Sequence, residues 1–285
     1  MDLSLVAAQL KSTLDDASNG RPIKMEPEWI TDFGKEMEAA VTKQFTPRNP
    51  DFKIRMSNIG RELCTLQQQQ MGTEAEPMPY NHIIRMLIGD SVEAIMRLVL
   101  KSAGVDVTSE GDQVQLEVAG HSISGESDLD IEGKVYDIKS CSPWAFKNKW
   151  SEGYSTLKKG DSFGYVGQLY GYADAQNKEP GGWIVVDKSS GEIQVVEVQD
   201  SRADVKEIRQ DREDKVKALT SDTPFKKGFE PEDEYFRRKP TGDKVLHTSC
   251  RFCSFKKSCW PNAVLRPSKM SNPEAKSPAQ KWFVE

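Results

Sequence analysis

Apolar residues recur every three or four positions through "YNHIIRMLIGDSVEAIMRLVLKSAG", residues 80–104. That spacing predicts one strong helix over 80–103, stopped by Gly104. Residues 1–45 read as helical and partly amphipathic, broken near "NGRP" at 19–22, and "TPRNP" at 46–50 reads as a linker or turn. Residues 57–70, "SNIGRELCTLQQQQ", predict a helix capped by Ser57 and followed by "EPMP". Across 105–140 the period becomes two: "VDVTS", "QVQLEV", "HSISGESDLDI" and "KVYDIKS" alternate like strands. Helical spacing returns from about Asp161 to Gln176. "GGWIVVDKSSGEIQVVEV" then predicts a hairpin with Ser-Gly in its turn, and 200–219 a charged amphipathic helix. The remainder reads as loop-rich, and no internal repeat occurs. Helix, strands, helix, strands predicts an α/β or α+β arrangement around a mixed sheet.

Composition narrows the class. The chain has 285 residues, 29% of them charged, and a formal net charge of -5; its mean hydropathy is -0.62. That length supports one large domain with additions to it. No apolar run reaches the length of a membrane span. "MDLSLVAAQLKSTLDD" lacks the basic start and apolar stretch of a secretory signal. The expectation is a soluble, cytoplasmic protein with no membrane partner. In that reducing compartment the five cysteines are expected to hold metal rather than form a disulfide framework. The net acid argues weakly against a nucleic-acid partner, yet it is local. It concentrates at 207–215 and 230–234, whereas "KNK" at 147–149, "KK" at 158–159, "RRK" at 237–239 and the run from Arg251 to Lys269 are basic. Taken alone, such runs read as solvated faces.

The stretch "GESDLDIEGKVYDIKS", residues 125–140, carries unusual charge for a hairpin. With Glu132-Gly133 as a two-residue turn, Ile131 falls opposite Lys134 and Asp130 opposite Val135. Continuing, Asp128 falls opposite Asp137 and Glu126 opposite Lys139. Alternation puts these groups on one face, with opposed Cβ atoms roughly 4.5–5.5 Å apart. Two carboxylates so close repel unless a positive group lies between them. Mg²⁺ fits, since it takes oxygen ligands from carboxylates and phosphates. Lys139 is then placed to steady a scissile phosphate or the attacking water. The alternative is a solvent-facing hairpin with ordinary surface charges. It suits Glu126 and Asp130, and suits Asp137 and Lys139 less well, because "VYDIKS" interleaves them with strand-forming residues ahead of Cys141.

On the 80–103 helix, His82, Met86, Gly89, Glu93, Met96 and Leu100 form one stripe. Glu93 therefore points among apolar neighbours, where a lone carboxylate is costly unless paired or metal-bound. Pairing with Arg85 or Arg97 is the bland reading.

Gly125-Glu126-Ser127-Asp128 followed by Asp137-Ile138-Lys139 resembles the PD-(D/E)XK nuclease superfamily. Gln168 and Tyr172 share a helical face after that strand and resemble the Q-x-x-x-Y of its RecB-like branch. In that branch this pair lines the active site and contacts DNA. The branch also carries a metal-ligating His in a G-x-x-x-H pattern, where this chain has Gly89-Asp90-Ser91-Val92-Glu93. Glu departs from the pattern but is a harder oxygen ligand, suited to Mg²⁺ or Mn²⁺.

"SCRFCSFKKSC" spaces Cys250, Cys253 and Cys259 as C-x₂-C-x₅-C, with Cys64 far upstream. Four thiolates suit a tetrahedral zinc or an iron–sulfur cluster. The split of one before and three after resembles the iron–sulfur RecB-like nucleases, namely the AddB nuclease domain and the CRISPR-adaptation Cas exonucleases. Cys141 is left over and reads as a small buried residue.

The resemblance spans about 57–262. It implies an α/β fold with a restriction-endonuclease-like PD-(D/E)XK core, a mixed central sheet flanked by helices, plus an N-terminal helical part and a C-terminal Cys-rich segment. The expected domains are a helical extension at 1–45, a nuclease domain at 46–265 that includes the cluster segment 247–262, and a tail at 266–285. The implied activity is metal-dependent DNA cleavage, with exonuclease action on single-stranded DNA or DNA ends. Glu93, Asp128, Asp137 and the main-chain carbonyl of Ile138 would ligate Mg²⁺ or Mn²⁺. Lys139 would position and activate water, and Gln168 and Tyr172 would orient the strand. Cys64, Cys250, Cys253 and Cys259 would hold a 4Fe–4S cluster. Basic residues with Trp144, Phe146, Trp150 and Trp260 are expected to grip single strands by charge and stacking. A homo-oligomer or a helicase or recombination partner is compatible, and such a nuclease suits a phage or mobile element, which would place it in the host cytoplasm. No G-x-x-x-x-G-K-[ST] motif occurs, so strand opening is not expected of this chain itself. Two other classes stay open: a non-cutting DNA-binding or assembly subunit, and a zinc-stabilised structural protein.

Overall fold

The computed structural model describes residues 3–47, 51–271, 278 and 280–284. Helices α1 (Leu3–Ser18) and α2 (Pro27–Phe45) are followed by the short α3 (Met56–Ile59) and α4 (Leu63–Gln70), then the long α5 (Asn81–Ser102). Strands β1 (Val107–Val118), β2 (His121–Ile131) and β3 (Lys134–Cys141) come next. After α6 (Pro143–Ala145), a π-helical turn over Phe146–Trp150, α7 (Tyr154–Lys159) and α8 (Tyr165–Ala175), the chain forms β4 (Glu179–Asp187), β5 (Ile193–Glu197) and α9 (Arg202–Leu219). It continues through β6 (Glu232–Phe236), β7 (Lys239–Val245), α10 (Thr248–Arg251), α11 (Lys256–Cys259), β8 (Ala263–Pro267) and β9 (Gln280–Val284).

Backbone contacts divide the chain into two units. The larger takes residues 1–50, 54–60 and 79–217, and the smaller takes 51–53, 61–78 and 218–285. The boundaries expected from sequence pattern, after 45 and after 265, do not coincide with these. Residues 1–45 fall within the larger unit, and residues 61–78 join the smaller one. Among the described residues, no helix is long and apolar enough to cross a membrane.

The larger unit is α/β, built on a mixed sheet of five strands in the order β1-β2-β3-β4-β5. Only β3 and β4 run parallel; the other neighbours are antiparallel. Val6 and Leu10 of α1 and Met96 and Leu100 of α5 pack onto Leu129, Ile131, Tyr136, Ile138, Ile184 and Val186 of the sheet. Of the amphipathic stripe read from the sequence, Met96 and Leu100 are buried against the strands, whereas Met86 near its start is exposed. Side chains alternate along β3, so Val135 and Asp137 face away from the layer that Tyr136 and Ile138 enter. All four are buried, which is why a carboxylate within "VYDI" is exceptional.

The turn forms as expected. Glu132 (φ 50°) and Gly133 (φ 79°) are both left-handed, as a type I′ hairpin demands. Ile131 pairs with Lys134, Asp130 with Val135, and Leu129 with Tyr136. There the ladder stops. β2 continues beside β1, with Glu126 opposite Gln113, while β3 continues beside β4, with Asp137 opposite Trp183 and Lys139 opposite Val185. The expected cross-strand pairs Asp128–Asp137 and Glu126–Lys139 are therefore not formed. Each strand finds its longer ladder on its other side, and the two separate.

Two further expectations are corrected. The 57–70 segment is two helices, and Ser57 lies inside α3; the backbone N–H of Arg55, the residue before it, donates to Asn58 Oδ1 at 2.9 Å. The break falls at Gly60, whose backbone meets that of Gly164 so closely that a Cβ would stand 2.1 Å from the Gly164 carbonyl oxygen. The C-terminal region, read as loop-rich, instead forms a four-stranded sheet in the order β6-β7-β9-β8. Strand β9 lies in what was expected to be a tail. Val245, Ala263 and Phe283 are buried there, and Glu234, 0% exposed, is held by Lys281 at 3.1 Å and Thr241 at 2.7 Å.

Candidate active site

Asp137 is 1% exposed. Lys139 Nζ stands 2.5 Å from its Oδ2, a close ion pair. That contact lacks hydrogen-bond geometry, and neither Asp137 oxygen has a hydrogen-bond partner among the described residues. Asp128 sits where β2 and β3 part. Its Oδ2 accepts the Ile138 backbone N–H at 2.7 Å, replacing the ladder bond lost there. Its carbonyl accepts from Arg97 Nε at 3.1 Å, and Arg97 Nη1 pairs with Glu36 at 2.8 Å. Arg97 thus fastens α2 and α5 to the fork in the sheet, and its charge also favours the Glu93 carboxylate.

Glu93 reaches the cluster from α5. Burial pushes its carboxyl up to about 8; the Asp128 carboxylate adds to the rise and Lys139 opposes it. Asp137 is raised as well, first by burial, with Lys139 only partly compensating. Lys139 moves the other way in energetic balance: burial works against its ammonium, but Asp137, Asp128 and Glu93 together more than offset that and raise its pKa. Two cations, Lys139 and Arg97, act on the three carboxylates; Lys139 keeps its proton, yet the Glu93 and Asp137 carboxyls stay raised.

On α8, Gln168 Nε2 donates to Tyr172 Oη at 3.1 Å. Tyr172 is buried, and its phenol is held protonated by burial and then by Asp137 and Asp128 nearby. Its ring presses on Gly125, where a Cβ would lie 2.8 Å from Tyr172 Cε1 and 2.7 Å from Met56 Cβ. The Gly-x-x-Asp spacing thus admits the tyrosine with its first residue and supplies a carboxylate with its last.

The structure therefore brings Glu93, Asp128, Asp137, Lys139, Gln168 and Tyr172 into one neighbourhood, with the Ile138 backbone at its centre. It leaves out the other two acids of the hairpin. Glu126 is exposed and accepts from Gln113 Nε2 at 2.8 Å. Asp130 is fully buried and ion-paired to Lys178, not the surface charge its position suggested. Of the four aromatics expected to grip a strand, Trp150 is 2% exposed and packs between Tyr165 and Trp183, so it is core. Trp144 is 72% exposed.

Sequence reading passed over Tyr165, which lies beside Lys139 and beside Lys149 of the basic "KNK" run. The Lys139 ammonium stands 5.6 Å from the centroid of the Tyr165 ring, and Lys149 stands 5.9 Å from it. The available signal was an aromatic–Gly–aromatic triplet, Phe163-Gly164-Tyr165, just ahead of the Q-x-x-x-Y helix.

In the smaller unit, Cys64, Cys250, Cys253 and Cys259 all line one cavity, together with Glu62, Gln68 and Trp260. Burial pushes the Cys250 thiol up to about 12, and Cys253, Cys64 and Cys259 add to it, in that order. Two donors already point at sulfur, the Phe255 N–H to Cys253 Sγ at 3.4 Å and Gln68 Nε2 to Cys259 Sγ at 3.6 Å, and Thr65 Oγ1 shares a hydrogen bond with Cys253 Sγ at 3.7 Å. Cys141 is apart from them, buried at the end of β3. Among the described residues, no group of three or more His, Cys, Asp or Glu side chains is drawn together into a ready coordination sphere, at either location.

No family model matches this sequence, and no curated protein does. Among solved structures, the chain is similar to one described as "Crystal structure of SSO0001", at 15% identity and a TM-score of 0.42, over 80% of this chain and 94% of that one.

Proposed function

We propose that this chain is a metal-dependent deoxyribonuclease, a RecB-like member of the PD-(D/E)XK superfamily, that hydrolyses phosphodiester bonds in single-stranded DNA or at DNA ends. The observation that carries the reading is Asp137: a carboxylate buried in the middle of a sheet, with the Lys139 ammonium against it and two more carboxyls beside it. Buried charges are paired or coordinate metal, and Lys139 and Arg97 together still leave the Glu93 and Asp137 carboxyls raised. Glu93, Asp128, Asp137 and the Ile138 carbonyl offer an all-oxygen donor set, which suits Mg²⁺ or Mn²⁺. When bound, such a cation lowers the pKa of a water and neutralises charge on the phosphate.

The chain's own groups supply the rest. Lys139 stays protonated, so it acts as a fixed positive charge that orients the phosphate or the attacking water rather than as a base. The Gln168–Tyr172 pair presents a phenol that keeps its proton and donates toward the strand. The Arg97–Asp128 carbonyl bond holds one donor at the fork. The four cysteines that line one cavity would hold a 4Fe–4S cluster as thiolates, and hydrogen bonds to sulfur are a usual support for such clusters.

The test is digestion of 5′- and 3′-labelled single- and double-stranded DNA with Mg²⁺ or Mn²⁺. Wild type is expected to cut. Lys139→Ala is expected to lose about 100-fold or more in rate, the scale of removing one electrostatic stabiliser, with folding intact. No cleavage by wild type with either metal, or undiminished cleavage by Lys139→Ala, overturns the reading.

A further inference from the structure

Phe163 is a large apolar side chain left 46% exposed at a point where the backbone is unusually well held. The Asp161 carboxylate accepts three backbone N–H groups around it, from Gly164 at 3.0 Å, Tyr165 at 3.0 Å and Val166 at 2.8 Å. Gly164 is left-handed (φ 80°) and backs directly onto Gly60, where a Cβ on Gly164 would lie 2.2 Å from the Gly60 carbonyl carbon. The ring of Phe163 stacks on Tyr165, with centroids 5.6 Å apart and planes 18° from parallel. Beneath it Tyr165 rests on the buried Trp150, at 5.6 Å. An exposed aromatic ring is thus mounted on a rigid aromatic column rather than on a mobile loop.

Two ammonium groups flank the column. Lys149 lies 5.8 Å from the Phe163 centroid and 5.9 Å from that of Tyr165. Burial lowers the pKa of this lysine and Asp161 only partly opposes the shift, so an arriving phosphate would favour its charged form. Lys139, at 5.6 Å from Tyr165, belongs to the candidate active site. A polynucleotide alternates anionic phosphates with flat bases. An aromatic column with Lys149 at both its rings and Lys139 at its Tyr165 end offers both kinds of contact, phosphates at the lysines and the base on Phe163. A base inside a duplex has both faces covered by its neighbours, whereas an unpaired base has a face free to stack.

We propose that Phe163, mounted on Tyr165 beside Lys149 and Lys139, is a stacking platform for the unpaired base next to the phosphate being cut, which makes single strands and frayed ends the substrate and intact duplex a poor one. The proposal rests on the nuclease reading and deepens it by assigning the strandedness of the substrate.

The probe is a single-stranded oligodeoxynucleotide containing 2-aminopurine, whose fluorescence is quenched when it stacks, titrated in EDTA so that it stays intact. Wild type is expected to quench it. Phe163→Ala is expected to bind about tenfold more weakly, the scale of one base–aromatic stack, and to lose the quench. Phe163→Trp should restore both, and the loss should fall on the single strand rather than on a blunt duplex of equal length. Wild-type quench and affinity in Phe163→Ala, in a preparation whose parent cuts DNA with Mn²⁺, overturn the platform and leave the nuclease. A wild-type protein that neither binds nor cuts any DNA overturns both.

Discussion

Replacing Gly125 with alanine tests the packing of the candidate site without touching a charge. The added methyl would stand 2.7 Å from Met56 Cβ, 2.8 Å from Met56 Cγ and 2.8 Å from Tyr172 Cε1. Carbon atoms rest at about 3.5–4.0 Å, so each neighbour must retreat by roughly 0.7–1.3 Å. Met56 is 0% exposed and Tyr172 is 3% exposed. The atoms met are a Cβ and a ring edge, not the free end of a flexible chain. Over-packing of this kind costs about 1–3 kcal/mol, which lowers Tm by roughly 2–12 °C for a unit of this size. The strain is released by moving Tyr172, and a displacement near 1 Å at a reacting centre costs about 100-fold in rate. Thermal unfolding and single-turnover cleavage of an end-labelled strand read the two effects. Gly34→Ala in α2 is the control: nothing lies within 4 Å of its added Cβ, and exposed Ala exceeds Gly in a helix by about 1 kcal/mol. Gly34→Ala should hold or gain stability, while Gly125→Ala loses both stability and rate. A Gly125→Ala protein with wild-type Tm and wild-type cleavage would refute the argument that Gly125 is there to admit Tyr172.

Glu93 and Asp137 have raised pKa values in the folded chain, whereas unfolded carboxyls titrate at about 4. Above that pH the folded state holds protons that the unfolded chain has released, so metal-free protein should lose stability as pH rises from about 4 toward neutrality and beyond. Asp137→Asn should flatten that slope and raise Tm at pH 8 in EDTA, and Mn²⁺ should stabilise wild type far more than the variant; parallel Tm–pH curves would count against the buried-carboxylate account. The cysteine cavity makes a separate prediction. Anaerobically purified protein should be brown, and Cys64→Ser or Cys250→Ser should lose colour and Tm together, because a centre joining Cys64 to Cys259 closes a very long loop. Cys141→Ser should do neither, and one zinc with no iron per chain would replace the cluster without disturbing the nuclease reading.

The sequence by itself determined what short-range physics can encode. Helical periodicity located α5 and placed Glu93 on its buried stripe. Glu132-Gly133 declared a left-handed turn, and the three pairs nearest it formed in the expected register. Gln168 and Tyr172 were legible as one helical face because residues four apart must share one, and they do meet. What only the tertiary structure decided concerns groups that sequence spacing cannot bring together. The register beyond Leu129 was not legible, because it depends on β1 and β4 competing for β2 and β3. The burial of Asp130 depends on Lys178, and the role of Arg97 on Glu36, both partners far along the chain. The helix break at Gly60 depends on the backbone of Gly164 arriving opposite it. The strands β6 to β9 are short, and β6 and β7 are charge-rich, so alternation does not show and their sheet emerged only from pairing between distant segments. Periodicity reports which face of an element is apolar; it does not report which other element will cover that face, and in this protein the fork in the sheet, where Asp128 and Asp137 meet, is set by that second choice.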